Sequence, residues 1–143
     1  CYDNDPANCE TYGGLYEWPE AMQYSITEGV QGICPDGWHL PMLSEFQELE
    51  VYVNNKAAAL IDESETLSYT PVTQNETGFS ALFAGGRGRI GNFDSLGGIT
   101  YFWSSSEGYS SSAYGMHLHY DRSGVRWYHG TKDNGFSVRC AQD

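Results

Sequence analysis

Met42, Phe46, Leu49 and Val53 recur at spacings of four, three and four, with Glu45, Glu48 and Glu50 between them. One apolar stripe at this period predicts an amphipathic helix over residues 42–53, closed by Asn54-Asn55. Pro19 to Tyr24 suits a second helix start, with Pro in the first turn and Glu17 and Glu20 nearby. Leu15 to Trp18 alternates and predicts a short strand, whereas residues 1–14, rich in Asn, Asp, Pro and Gly, read as a polar loop. Gly29 to Gly37 reads as loop. Lys56 to Ile61 reads as a helical turn, followed by polar loop to residue 77.

From Gly78 the period shifts toward two. Phe79–Phe83, Thr100–Ser104, Ala113–Tyr120, Gly124–Tyr128 and Phe136–Cys140 are expected strands. The six glycines between Gly85 and Gly98 mark a long turn region. No G-K-[ST] follows them, so they are not a phosphate cradle. In the third strand, Tyr114, Met116, Leu118 and Tyr120 share one face, taken as inward; Gly115, His117 and His119 share the other. Helices in the first half and a meander of strands in the second predict an α+β fold, a single domain over residues 1–143.

Charge divides the chain. Residues 1–76 hold fourteen acids and a single base, Lys56, while residues 77–143 hold five acids and six bases. The net charge of −12 argues against binding nucleic acid, and the second half is the better candidate for contacting a partner. Apolar runs are too short for membrane insertion or for a signal-peptide core; a secreted protein would carry its targeting segment outside these residues. Asn75-Glu76-Thr77 is a glycosylation sequon, a weak three-residue pattern.

The four cysteines form no CxxC pair and no zinc spacing with histidine. Cys1 lies close to Cys9, with Cys34 and Cys140 far apart, so of the three connectivities Cys1–Cys9 with Cys34–Cys140 is favoured, in an oxidising compartment. Four buried thiols in a cytosolic protein, or a lipid-anchored Cys1, are the alternatives.

Several blocks carry a resemblance. CYDNDPANCETYGGLYEWPEAM, VQGICPDGWHLPMLSEFQEL, GFSALFAGGR, YFWSSSE and NGFSVRC, spread in order over nearly the whole chain, resemble the Fibrobacter succinogenes major paralogous domain family. The resemblance implies a C-type-lectin-like fold, with two helices flanking small antiparallel sheets and the chain ends joined. It supports a Cys34–Cys140 bridge and implies an extracellular or surface-displayed bacterial or phage protein, this chain being a module of something longer. Where the family has Ser or Thr after the Leu-Pro pair, as a helix cap, this chain has Met42; Ser44 one turn later or Met42 packing are the substitutes considered.

A lectin-like fold does not imply lectin activity. The Glu-Pro-Asn, Gln-Pro-Asp and Trp-Asn-Asp motifs of calcium-dependent sugar binders are absent. Asp3, Asn4, Asp5 and Asn8 offer alternate oxygens, which read as a calcium loop or, preferably, as turn hydrogen bonding. The formylglycine-making oxidase of similar fold uses paired cysteines near its C-terminus, and here only Cys140 stands there. With no hydrolase triad order and no HExxH, the expectation is a non-enzymatic protein without cofactor or metal.

Tyr109 to Gly135 holds three of the four histidines amid Tyr, Trp, Arg, Ser and Gly, the composition of an adaptable binding face. Tyr109, His117, His119, Arg122, Arg126, Trp127, Tyr128 and His129 are therefore the candidate ligand-binding residues. A three-imidazole metal site at His117, His119 and His129 is the lesser reading. Trp38, Phe46, Trp103 and Phe136 are expected core. Residues 108–131 also resemble the cassette of a diversity-generating retroelement: codons rewritten at adenine and ending in a pyrimidine encode Ser, Tyr, His, Arg, Gly, Asp and Asn but never Trp or Met. Met116 and Trp127 would then be fixed scaffold. Three roles follow: a surface-displayed module binding a protein or cell-surface receptor, a calcium-independent carbohydrate-binding adhesion domain, or a structural module of an envelope or filament assembly. The oligomeric state is not indicated.

Overall fold

The computed structural model describes residues 1–143. Three helices, α1 (Pro6–Tyr12), α2 (Trp18–Ala21) and α3 (Leu43–Tyr52), accompany seven strands: β1 (Trp38–His39), β2 (Ala84–Arg87), β3 (Phe93–Leu96), β4 (Ile99–Tyr109), β5 (Ser112–His119), β6 (Arg126–Thr131) and β7 (Ala141–Gln142). The fold is α+β, with a five-stranded sheet in the order β3-β2-β4-β5-β6 and a two-stranded β1–β7 sheet. No helix is long and apolar enough to cross a membrane.

The central sheet is covered on both faces. Phe102, Met116 and Leu118 point into one cluster with Phe46, Phe83 and Val125. Trp103 and Ala113, one position out of phase, point into a second with Trp18, Leu40, Cys34 and Phe136. Both cysteine pairs form disulfides, Cys1–Cys9 with Cα atoms 4.9 Å apart and Cys34–Cys140 with Cα atoms 5.8 Å apart. The second bridge closes a span of 106 residues and fastens the segment before β1 to the one before β7.

The stripe 42–53 is a helix as expected, but its start has a different physical origin. Met42 offers no capping hydrogen bond, and Ser44 is exposed on the helix. The Ser106 hydroxyl on β4 instead accepts the Leu43 N–H at 2.9 Å, while the Glu45 carboxylate accepts the Met42 N–H at 2.8 Å. The serine run of β4 is a buried polar clasp. Ser104 C=O accepts the Trp18 indole N–H at 2.9 Å, and Ser105 Oγ accepts the Gly29 N–H at 2.9 Å.

Other expectations are corrected. Residues 1–14 are not all loop: α1 forms because Asp5 Oδ1 accepts the Ala7 N–H at 2.9 Å, with Pro6 at the first position. Leu15–Trp18 makes only one bridge, Tyr16 to Phe136, and Phe79–Phe83 only one, Ala81 to Ile61. Phe136–Cys140 likewise makes only the bridges at Phe136 and Ser137, the terminal strand lying beyond it. The glycine-rich stretch holds the β2–β3 hairpin rather than a long turn. Gly85 has φ of +66°, and a Cβ there would come within 2.5 Å of the Asp94 carbonyl, so the β2–β3 pairing requires glycine at this position. Trp38 is 38% exposed because β1 is a two-residue strand at the surface. The sequon side chains are engaged internally, Asn75 Nδ2 donating to Ser80 Oγ and Thr77 Oγ1 to the Ala59 carbonyl, both at 2.8 Å.

Candidate functional site

The antiparallel register of β5 and β6 pairs His117 with Arg126, Met116 with Trp127, Gly115 with Tyr128 and Tyr114 with His129. Alternation along each strand therefore divides the six candidate residues on β5 and β6 between two faces. His117, His119, Arg126 and Tyr128 start from the face of Trp103 and Ala113, whereas Trp127 and His129 start from the face of Met116 and Leu118.

Because β6 is the edge strand, the two faces meet around it. His117, His119, Arg122, Arg126 and Trp127 line one open groove of about 700 Å³ together with Val125. Five of the eight candidates are thus brought together. Arg122 comes from the turn between β5 and β6, and its Nε lies 3.6 Å from Asp121. Asp121 is also 3.8 Å from His119 Nδ1, and Arg126 has no carboxylate within 4 Å. Trp127 packs its indole partly against the Met116–Leu118 cluster.

His117 Nδ1 and His119 Nε2 are 3.2 Å apart, a contact in which one ring donates and the other accepts. The His117 ring also stacks on Tyr101 at 5.5 Å. Burial, with His119 and Arg126 adding like charge, pushes the His117 imidazole down to about 4. Burial likewise lowers His119, against the raising effect of Asp121. Both shifts favour the neutral imidazoles, so the groove's standing positive charge comes from the two arginines.

The other three candidates lie elsewhere. Tyr128 is half-buried: its ring makes edge contacts with Tyr101 at 5.5 Å and Phe136 at 5.0 Å, and its hydroxyl accepts from Asn134 Nδ2 at 2.8 Å. Burial raises its phenol. The ring leans on the second core cluster, so this side chain serves packing as well as keeping part of its surface exposed. His129 stacks on Tyr114 at 4.7 Å, meets Tyr109 edge-on at 5.4 Å, and shares a 2.9 Å hydrogen bond with Ser112 Oγ. That separate cluster leaves Tyr109 largely exposed. With His129 on the opposite face, the three-imidazole set is not assembled.

Of the N-terminal oxygens, Asp5 caps α1 and Asn8 Nδ2 donates to the Tyr2 carbonyl at 3.1 Å, the turn-stabilising role preferred from sequence. His39 was passed over. It bridges Asp143 at 2.7 Å and Glu45 at 2.9 Å, tying β1 and the chain end to α3, and the Asp143 hydrogen bond holds its imidazole above the usual range. The only sequence signal for this role was its place in the block GWHLP.

The family model of the Fibrobacter succinogenes major domain matches residues 1–142. The chain belongs to that family. No curated protein and no solved structure matches it.

Proposed function

We propose that this domain is a non-enzymatic binding module, displayed outside the cell or on a bacterial or phage surface, whose groove along β5 and β6 takes an acidic group of a protein or glycan receptor. The observation that carries the reading is the gathering of Arg122, Arg126, His117, His119 and Trp127 in one groove, with Asp121 the sole carboxylate within 4 Å of its cations. In a chain of net charge −12, two arginines against one carboxylate make the groove a local reversal of sign. Arginine and tryptophan are among the residue types enriched at binding hot spots. Two disulfides suit an oxidising compartment. The tie between residues 34–39 and the C-terminal segment, made by Cys34–Cys140 and by β1–β7 pairing, supports a C-type-lectin-like arrangement.

The test is binding of the labelled domain to a panel of acidic and neutral glycans and to candidate host cells, with and without calcium. Arg126→Ala and Arg122→Ala are expected to weaken binding and flatten its salt dependence while leaving the melting transition in place. Equal binding by wild type and both variants would remove the groove from the account.

Diversification of residues 108–131 belongs to the same reading. Met116 and Trp127, the two residues that a rewritten pyrimidine-ending codon does not encode, both pack into the hydrophobic cluster below the groove. A reverse transcriptase beside a near-copy of the gene's 3′ end would support it, and an isolated gene would not.

A further inference from the structure

A second cleft, of about 390 Å³, shares no residue with the groove. It opens where residues 11–16, 80–84, β4 and the C-terminal segment 137–140 meet, between the two hydrophobic clusters. Its volume is in the range of small-molecule sites, about 300–1,000 Å³. Two of its lining residues, Thr100 and Ser137, are more than nine-tenths buried, and the hydroxyl oxygen of each lacks any hydrogen-bond partner. They are the molecule's two orphaned buried side-chain polar atoms, and both belong to this one cleft. Burying a hydroxyl without a partner is costly, so two in one place mark a site completed by something else.

The third unmet group is Arg139, the only charged residue lining the cleft. It has no carboxylate within 4 Å, lies 4.5 Å over the Phe79 ring, and is desolvated enough for its guanidinium to be held below the ordinary range. Tyr12, Tyr16 and Phe102 supply aromatic wall.

We propose that this cleft binds a small carboxylate-bearing saccharide of the uronate type, with its carboxylate on Arg139 and its ring oxygens partnering the Thr100 and Ser137 hydroxyls, which are closed off from solvent until the lining side chains shift to admit the ligand. A single arginine matches a single negative charge. With no acid in the lining, an amino-acid ammonium would go unpaired. A neutral sugar would leave the guanidinium unanswered. Aromatic walls with hydroxyl partners suit the alternating apolar faces and oxygens of a sugar ring. The site stands independently of the groove.

The experiment is a titration of the intact, disulfide-bonded protein with glucuronate, followed by amide NMR, with glucose and acetate as parallel arms. Glucuronate is expected to shift the amides of Thr100, Ser137 and Arg139 saturably, with glucose and acetate weaker by roughly tenfold or more. Arg139→Gln is expected to abolish the preference for glucuronate over glucose. Thr100→Val and Ser137→Ala, which keep the shape of the floor, are expected to weaken glucuronate while the melting transition stays cooperative. The proposal is overturned if millimolar glucuronate produces no saturable shift, if glucose binds equally well, if the shifts map to the groove at His117 and Arg126, or if the two hydroxyl variants bind as wild type does.

Discussion

Ser106 caps a helix from which it is 63 residues distant, its hydroxyl accepting the Leu43 N–H at 2.9 Å. The hydroxyl that a Ser or Thr at position 42 would bring to this helix start is supplied here from β4, across the packed interface between α3 and the sheet. The clasp couples local to tertiary structure: α3 has its first donor satisfied only once β4 is in place.

Ser106→Ala is therefore expected to destabilise the domain by about 1 kcal/mol, the usual cost of a lost cap, with an unsatisfied N–H on α3 as the cause. Ser44→Ala, on the exposed side of the same helix, is expected to change stability by no more than about 0.5 kcal/mol. Urea denaturation of the two variants separates these roles.

Acid is expected to destabilise the protein through His117. Its folded value of about 4 lies below the unfolded value of 6.5, so the unfolded chain binds the proton more readily. The stabilisation is present above pH 6.5 and is lost as pH falls toward 4. His39 works in the opposite sense: raised above 6.5 by Asp143 and Glu45, it stabilises fully below that pH, and the contribution is lost as pH rises through its folded value. Denaturation midpoints across pH 4 to 9 check both signs. His117→Phe is expected to flatten the acid side and His39→Gln the alkaline side. An unchanged acid slope in His117→Phe would mean another group carries it.

Loss of the long disulfide is expected to cost more than loss of the short one. In the chain-entropy model a loop of about 100 residues contributes about 4.7 kcal/mol, against about 3 kcal/mol for a 15-residue loop. Cys34 is buried, so the cost of Cys34→Ala with Cys140→Ala includes the packing lost with the sulfur atoms as well as the loop effect. Mass spectrometry of the non-reduced protein is expected to show no free thiol.

Tyr128 and Arg126, two residues apart on the same face of β6, are expected to respond oppositely to alanine. Tyr128→Ala removes a half-buried ring from contact with Tyr101, Trp103 and Phe136, for a loss of roughly 2–3 kcal/mol. Arg126→Ala removes an exposed, unpaired side chain and is expected to stay within about 0.5 kcal/mol of wild type while weakening partner binding. Calorimetric melting of the two proteins decides the pair.

The amino-acid sequence by itself determined whatever depends on neighbours along the chain. A four-three-four stripe of apolar residues is a helix because 3.6 residues make a turn, and α3 lies within a residue of its predicted ends. Period-two alternation made β5 legible, with Met116 and Leu118 in the core, and cysteine spacing indicated both bridges. Tertiary structure alone decided the rest. Alternation separates the two faces of a strand without saying what covers each, so Tyr128, placed outward from sequence, turned out half-buried against Tyr101 and Phe136. The β2–β3 hairpin was hidden because glycine carries no hydrophobic signal, although its missing side chains are what allow that pairing. The groove draws residues from both faces of an edge strand, and the orphaned hydroxyls of Thr100 and Ser137 lie in one cleft only after residues 37 apart are folded together. Convergence of this kind is a property of packing between distant segments, where neither periodicity nor spacing along the chain carries information.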